Sequence, residues 1–249
     1  MEVSEKFSFE LQLPRTARLV NRIDYLAGLC KKKRVLDLGC AASFGVAQPG
    51  ASRTRSHIQE ALFLHDHLKN VADEVIGADL DLTAVEYMRS AGYQNIVVAD
   101  AENPETLYPF GQFDVIVAGD LIEHLANPGN FLSRVKPLLA PSGCLVITTP
   151  NGLAWYYGAF SFWFKEFNHP DHILMFTPSS LVGLFKRFSY EIIELNTSKH
   201  RQVFAIHPND RLTRRILKWV LVLIDRVVAG FCTQFPFSAD TLIVVARLP

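Results

Sequence analysis

The stretch that decides the fold is Val35-Leu36-Asp37-Leu38-Gly39-Cys40-Ala41-Ala42-Ser43. It begins with a short apolar pattern, typical of a buried strand, which ends at Gly39. A glycine followed by small residues favours a tight turn whose backbone approaches a ligand closely. The stretch therefore predicts a strand, a turn and a ligand site where the strand ends.

Short strand patterns alternate with helical patterns along the rest of the chain. The predicted strands are residues 35–38, 75–78, 96–99, 113–118, 144–148, 190–195 and 241–247. The predicted helices are residues 14–29, 82–91, 128–139 and 178–188, with a predicted turn at residues 141–143. This alternation predicts an α/β fold with a Rossmann-like, doubly wound sheet of seven strands.

The length of 249 residues and the absence of repeats favour one domain, residues 1–249. Its N-terminal segment, residues 1–33, is predicted to be helical. Two stretches lie outside the alternating units. Residues 44–68 form an insertion after the first strand, within which residues 46–57 are predicted as a loop, and residues 199–240 are predicted as a helical lid or insertion before the last strand.

The charge is unevenly distributed, although 25 Lys and Arg balance 25 Asp and Glu. Residues 73–123 contain eleven acidic residues and one basic residue, Arg89, so the remainder of the chain is basic. General nucleic-acid affinity needs a net basic surface, and we predict no nucleic-acid partner. The acidic segment suits a cationic ligand, and the basic remainder suits an anionic acceptor or a membrane surface.

The cysteines and the N-terminus bear on the cellular compartment. No Cys-x-x-Cys pair occurs among Cys30, Cys40, Cys144 and Cys232. Widely spaced thiols in apolar surroundings predict a reducing, cytoplasmic location rather than a zinc ribbon or a redox dithiol. The N-terminal sequence has no signal-peptide pattern, and charged residues interrupt the apolar tract at 216–232, which argues against a spanning helix.

Each of the first four predicted strands contains an aspartate or is followed within two residues by one: Asp37, Asp79, Asp100 and Asp120. One such residue is common, because Asp also caps helices and forms turns. Four in succession favour a ligand site, because ligands of open α/β sheets bind beyond the carboxyl ends of the strands. Ionised Asp79 accepts two hydrogen bonds, which suits the hydroxyls of a ribose.

The turn does not match the dinucleotide fingerprint Gly-x-Gly-x-x-Gly, because Ala41 and Phe44 occupy positions that need glycine. The Gly-Lys-Ser/Thr of a P-loop is also absent. These departures disfavour a nicotinamide dehydrogenase. A nucleoside ligand without a pyrophosphate fits the turn better.

Taken in order, the motifs resemble those of the class I S-adenosylmethionine-dependent methyltransferases, over residues 34–193 and 241–247. The matching stretches are VLDLGC (35–40), VIGAD (75–79), FDVIV (113–117), DLIEHL (120–125), LLAPSG (138–143) and TPN (149–151). The resemblance implies that the last strand is antiparallel and that S-adenosyl-L-methionine is converted to S-adenosyl-L-homocysteine. The family's Gly-x-Gly-x-Gly is altered at Ala41 and Ser43.

The resemblance also implies a set of cofactor-binding residues: Asp37, Gly39, Cys40, Ala41, Asp79, Leu80, Asp100, Ala101 and Asp120. Asp79 would bind the ribose, and Asp100 would accept a hydrogen bond from the adenine amino group. Asp120 would lie near the methionine amino group or the transferred methyl.

Three histidines are candidates for the catalytic base: His124, His169 and His172. Histidine is the usual base near neutral pH, and a hydroxyl or ammonium acceptor must lose a proton. The alternative is structural, since Glu123-His124 could order the local turn and residues 168–172 could form an ordinary Asp/Pro turn. His65 and His67 cannot share one helix face, so we expect solvated or loop-packing side chains and no metal site.

An apolar stretch near the C-terminus begins with the basic residues Arg211, Arg214, Arg215 and Lys218. This pattern is typical of an interfacial helix, which would place residues 211–232 at a membrane surface. The alternative, which we favour from the sequence, is a lid helix packed on the substrate site.

The sequence predicts a methyltransferase for a small-molecule acceptor, with transfer to a hydroxyl of a sugar, glycolipid or secondary metabolite. A scaffold protein of the same fold that binds the cofactor without transferring methyl groups is an alternative, as is an N-methyltransferase. The Asn/Asp-Pro-Pro-aromatic motif common among enzymes that methylate base amino groups is absent. The sequence does not determine the oligomeric state.

Overall fold

The computed structural model describes residues 17–41, 64–157, 169–199 and 212–249. Its centre is a seven-stranded sheet of β1 (Arg34–Leu38), β2 (Glu74–Asp79), β3 (Ile96–Val98), β4 (Phe113–Gly119), β5 (Leu139–Pro150), β6 (Glu191–Ser198) and β7 (Thr241–Arg247). The strand order is β3-β2-β1-β4-β5-β7-β6. Strand β7 is antiparallel to both neighbours, β5 and β6, while the other pairs are parallel. This topology confirms the predicted fold class.

Five helices pack on the sheet: α1 (Arg22–Cys30), α2 (residues 64–71), α3 (Leu82–Ser90), α4 (Pro128–Arg134) and α5 (Pro178–Arg187). A sixth helix, α6 (Leu212–Gln234), precedes β7. Successive strand residues face opposite layers. Ile116 packs in the core with α4 and α5, whereas Val115 and Val117 pack with α1 and α2. Because both faces of the central strands are buried, these strands are nearly continuous apolar runs, which explains why the sequence pattern located them.

The first helix begins later than predicted. Asn21 caps α1, accepting a hydrogen bond from the backbone N–H of Asp24 at 3.1 Å. The residues before Asn21 are extended, and the N–H of Val20 donates to the carbonyl of Thr197 in β6 at 2.8 Å. The helix predicted over residues 14–29 is therefore wrong at its start, because pairing with a distant strand replaces the helical turns; residues 14–16 lie outside the described residues.

The region before the fifth strand also differs from the prediction. Helix α4 ends at Arg134, and a short 3-10 helix, Lys136–Leu138, follows it. Pro137 has no N–H to donate to the preceding turn, which ends the regular helix. Strand β5 includes the predicted turn at residues 141–143, since Phe113 pairs with Leu139 while the next partner of β4 is Cys144. The extra residues form a bulge within the strand.

Gly77 lies where β2 meets the first turn and has no room for a side chain. A Cβ atom there would lie 2.6 Å from Ile96 Cδ1, 2.8 Å from Cys40 Sγ and 2.9 Å from His65 Cε1. We expect Gly77→Ala to lower the free energy of unfolding by about 1–3 kcal/mol through overpacking. Urea denaturation measures this loss, and Gly183→Ala is the matched control, since nothing lies within 4 Å of its Cβ position. Equal stability of the two variants would contradict the expectation.

Candidate active site

The first turn is held against the end of β2. Gly39 has a φ of 76°, a left-handed conformation that favours glycine, and its N–H donates to the carbonyl of Ala78 at 2.8 Å. The buried carboxylate of Asp79 accepts hydrogen bonds from the N–H of Ala41 and the N–H of Asp81, both at 2.9 Å. One side chain thus joins the turn to the start of α3.

The next three predicted cofactor-binding residues lie along the same edge of the sheet, after β2 and β3. Leu80 directly follows Asp79, and its side chain is 69% exposed. Asp100 Oδ1 accepts from the N–H of Glu102 at 2.8 Å, and its Oδ2 accepts from the side-chain amide of Asn103 at 2.7 Å. Ala101 is half-buried beside it. The edge therefore presents an accessible apolar side chain between two hydrogen-bonded carboxylates.

Asp37 and Cys40 lie inside the domain beneath the turn. Asp37 Oδ2 is 2.8 Å from Nδ1 of His65, and both side chains are buried. Burial and the nearby Asp37 and Asp79 carboxylates raise the pKa of the Cys40 thiol. Sequence reasoning missed the pairing of Asp37 with His65, which is a buried histidine of α2 and not a solvated one. Residues 42–63, which contain most of the predicted insertion, lie outside the described residues.

Asp120 begins the segment after β4 and adopts a strained backbone conformation. Its φ is 50°, and non-glycine residues in this region cost roughly 1–3 kcal/mol. The carboxylate is held from two sides: Arg22 Nη2 lies 2.9 Å from Oδ2, and the Thr148 hydroxyl donates to Oδ1 at 2.9 Å. These contacts hold Asp120 in place at the start of the segment that contains Glu123 and His124.

Glu123 is a buried carboxyl that the sequence analysis treated only as part of a local turn. Its exposure is 0%, and Oε2 accepts from the hydroxyl of Thr149 at 2.9 Å. Within the described part of the chain, Oε1 has no hydrogen-bond partner. Burial, followed by the like charge of Asp120, raises the pKa of Glu123 to about 8.

The backbone of Glu123 holds a second loop in place. Its carbonyl oxygen accepts hydrogen bonds from the N–H groups of Ile173 at 2.9 Å and Leu174 at 3.1 Å. The 3-10 helix Ile122–His124 is therefore joined to the chain that precedes α5. This junction brings the predicted histidines together across almost fifty positions of sequence.

The three candidate histidines form one cluster. The ring centroids of His124 and His172 are 4.7 Å apart, those of His169 and His172 are 5.3 Å apart, and those of His124 and His169 are 6.5 Å apart. His124 Nδ1 donates to the carbonyl of Asp171 at 2.9 Å. Partial burial, with the neighbouring His124 and His169, lowers the pKa of His172 and favours its neutral form.

The histidine cluster and the glycine turn lie at the same edge of the sheet. Strands β1 and β4 are parallel neighbours that pair Leu38 with Ala118, so both end there. Leu121 packs on the turn, since a Cβ atom on Gly39 would lie 3.4 Å from its Cδ1. A ligand above the turn would therefore have the histidine-containing segment beside it.

Comparisons with known proteins agree with this arrangement. A family model described as a methyltransferase domain matches residues 11–195. A "Probable S-adenosylmethionine-dependent methyltransferase" of Mycobacterium tuberculosis is 31% identical over 133 residues, covering 53% of this chain and 41% of that protein. A ubiquinone biosynthesis O-methyltransferase of Rhodopseudomonas palustris is 31% identical over 118 residues, covering 47% of this chain and 40% of that protein.

A solved structure gives the same fold. The N-methyltransferase NodS of Bradyrhizobium japonicum, in complex with S-adenosyl-L-homocysteine, has a TM-score of 0.51 and 14% identity over 92% of this chain and 86% of that one. The chain belongs to the methyltransferase domain family, which confirms the resemblance to class I S-adenosylmethionine-dependent methyltransferases. It spans less than half the length of the two relatives compared by sequence.

Proposed function

We propose that this chain transfers the methyl group of S-adenosyl-L-methionine to a hydroxyl oxygen of a small-molecule acceptor. The observation that carries the proposal is the cluster of His124, His169 and His172 at the edge that also holds the glycine turn. The family supports the methyl transfer, and the relative named as a ubiquinone biosynthesis O-methyltransferase supports an oxygen acceptor.

The cofactor would lie across the turn and the ends of β2 and β3. We assign the ribose to Asp79, the adenine face to Leu80 and the adenine amino group to Asp100, with the N–H of Ala101 nearby. The backbone of Gly39, Cys40 and Ala41 would pass beneath the methionine moiety. Gly39 adopts a positive φ and has no side chain, so the backbone there can approach the ligand closely. Asp37 would support this turn through its contact with His65.

The acceptor would enter from the histidine side. An oxygen lone pair forms the new bond to the methyl carbon, and the C–S electrons return to sulfur, leaving S-adenosyl-L-homocysteine. The hydroxyl proton passes to an imidazole of the cluster. The lowered pKa of His172 keeps its ring neutral, so that this ring is able to accept the proton. Asp120, fixed by Arg22 and Thr148, would border the methionine amino group.

The test is a transfer assay with methyl-labelled S-adenosyl-L-methionine and a panel of monosaccharides, glycolipids, phenols and primary amines. The expected product is a methyl ether, identified by its carbon chemical shift. A methylated amine would replace the proposal with N-methyl transfer. Binding of S-adenosyl-L-homocysteine in calorimetry without transfer to any member of the panel would favour the non-catalytic scaffold.

Helix α6 supports a second function, contact with a membrane surface. Its outer side chains Trp219, Leu223 and Val227 are 61%, 62% and 66% exposed, and they recur every four residues along one face. Burying such residues in the interfacial region of a bilayer is favourable. Within the described residues, no helix is long and apolar enough to cross a bilayer. From its exposed apolar face, we propose that the helix lies along a membrane surface.

Charge favours an anionic lipid surface as the partner. The sequence places Arg211, Arg214, Arg215 and Lys218 at the start of the α6 region, and Arg226 is exposed on the helix. The one acidic residue of α6, Asp225, forms an ion pair with Lys199.

All four cysteines are unpaired, which supports a reducing, cytoplasmic location. A lid role for residues 199–240 stays a prediction.

The double variant Leu223→Ser, Val227→Ser is expected to weaken binding to vesicles of phosphatidylcholine and phosphatidylglycerol more than tenfold. Each removed side chain would contribute about 1.5 kcal/mol when buried. Flotation measures the bound fraction, and the matched control is Tyr87→Ser, Ile193→Ser, two exposed apolar residues elsewhere. No flotation of the native chain, or a concentration-dependent dimer that the double variant abolishes, would show that lipid is not the partner.

A further inference from the structure

Glu123, His124 and His172 form a set of side chains that the proposed proton transfer uses only in part. One ligand atom from each lies within 4.8 Å of the other two. We propose that these residues bind a divalent transition-metal ion beside the methyl-transfer site. The expectation of no metal site was drawn from His65 and His67, and the present site involves neither.

The hydrogen bond made by Nδ1 of His124 leaves Nε2 of the same ring available as a metal ligand. The carbonyl of Asp171 can only accept a hydrogen bond, so Nδ1 of His124 carries the proton of the 2.9 Å contact. The Nε2 lone pair of the neutral ring is then the metal ligand. Histidine ligands in metal sites commonly donate their other N–H to a backbone carbonyl, which fixes ring orientation and tautomer.

Glu123 would supply the carboxylate ligand. Its raised pKa keeps the buried carboxyl largely protonated at neutral pH, so binding of the metal ion would release that proton to solvent. Its side chain is buried, Oε2 accepts from Thr149, and Oε1 has no partner among the described residues. A buried carboxylate is unfavourable unless a cation or hydrogen-bond donors compensate it. The nearby guanidinium of Arg22 pairs with Asp120 instead, at 2.9 Å. A metal ion at Oε1 would provide the missing compensation.

The geometry requires a small adjustment to close around the ion. Ligand atoms on a tetrahedral zinc ion, each about 2.1 Å from the metal, are separated by about 3.4 Å. The present spacing of up to 4.8 Å therefore has to shorten by up to about 1.4 Å. His172 is only half-buried and belongs to a loop, so rotation of its side chain can supply this change.

Two imidazoles and one carboxylate form the donor set of catalytic zinc sites, which keep a further position open for water or substrate. On the proposed function, the acceptor hydroxyl would occupy that position and lose its proton more readily. His169, whose ring lies 5.3 Å from that of His172, would accept the proton. The site thus assigns different tasks to the three histidines.

The test is calorimetric titration of Zn²⁺ into chelator-treated full chain, with Co²⁺ absorption as a second measurement. We expect one ion per chain and the visible absorption bands of Co²⁺ bound to nitrogen ligands. Glu123→Gln and His172→Asn should each weaken binding at least tenfold, with folding checked by circular dichroism. His67→Ala, on α2, is the matched control and should bind as the native chain does.

Three results would overturn the inference: no binding of either metal, an affinity unchanged by both ligand variants, or equal weakening by His67→Ala. Methyl transfer is measured separately in EDTA. Transfer that persists fully in EDTA rejects a part for the metal ion in the reaction and leaves the proposed function intact, while the metal site itself is decided by the titration. Zinc binding that requires Glu123 and His172, without transfer to any acceptor, rejects the proposed function and retains the metal site.

Discussion

Replacing Asp79 by alanine is expected to weaken binding of S-adenosyl-L-homocysteine about 100-fold. Hydrogen bonds to a charged group contribute about 1.5–3 kcal/mol each, and loss of about 3 kcal/mol corresponds to roughly that change in Kd. The same carboxylate joins the N–H of Ala41 to the N–H of Asp81, so its removal also loosens the turn beneath the methionine moiety. Isothermal titration calorimetry measures the loss.

Two further variants separate the role of the carboxylate from its effect on folding. Asp79→Asn keeps one acceptor oxygen and should bind more tightly than Asp79→Ala but less tightly than the native chain. Asp73→Ala removes an exposed aspartate near the opposite end of β2 and should leave affinity unchanged. Native affinity in a folded Asp79→Ala variant would remove Asp79 from the cofactor site.

The sheet could be predicted because its central strands are buried on both faces. Strand β7 was predicted with its observed bounds, and β4 differs by one residue. Strand β6 extends beyond its prediction to Ser198, because it pairs with β7 as far as Thr241. Local sequence therefore locates an apolar strand, while its last residues depend on a partner far away in the chain.

The candidate site was predictable only where it follows strand ends. Asp79, Asp100 and Asp120 could be placed at one edge because parallel strands end together. The contact of Asp37 with His65 and the hydrogen bond from Thr149 to Glu123 join residues 28 and 26 positions apart. Neither contact has a local sequence signal. The one sequence feature that pointed to burial of Glu123 was its position between two apolar residues, Ile122 and Leu125, which are both buried in the structure.

Proximity changes the interpretation of the histidines. Sequence reasoning gave His124, His169 and His172 as separate candidates for the base and weighed each against a structural role. The hydrogen bonds from Ile173 and Leu174 to the carbonyl of Glu123 bring that loop onto the 3-10 helix and join the candidates. A shared site, in which one histidine accepts the proton and others orient the acceptor, follows from this junction.

Replacing His172 by alanine is expected to slow methyl transfer by roughly 10²–10⁴-fold, the usual contribution of a positioned proton acceptor. His172 is the ring closest to both others, at centroid distances of 4.7 Å from His124 and 5.3 Å from His169, so its loss disrupts the whole cluster. Steady-state kinetics with the best acceptor of the transfer panel measures kcat. Affinity for S-adenosyl-L-homocysteine should stay within threefold of native, about 0.6 kcal/mol, because the cofactor residues lie on other strands.

His169→Ala distinguishes the two ways in which this cluster could act. If His169 accepts the proton while His124 and His172 hold a metal ion, His169→Ala lowers kcat but leaves zinc binding unchanged, whereas His172→Ala lowers both. If the imidazoles act without a metal ion, zinc binding does not depend on His169 or on His172. His67→Ala removes a histidine of α2 and should retain native kcat. Full activity of both cluster variants would exclude the histidines from methyl transfer.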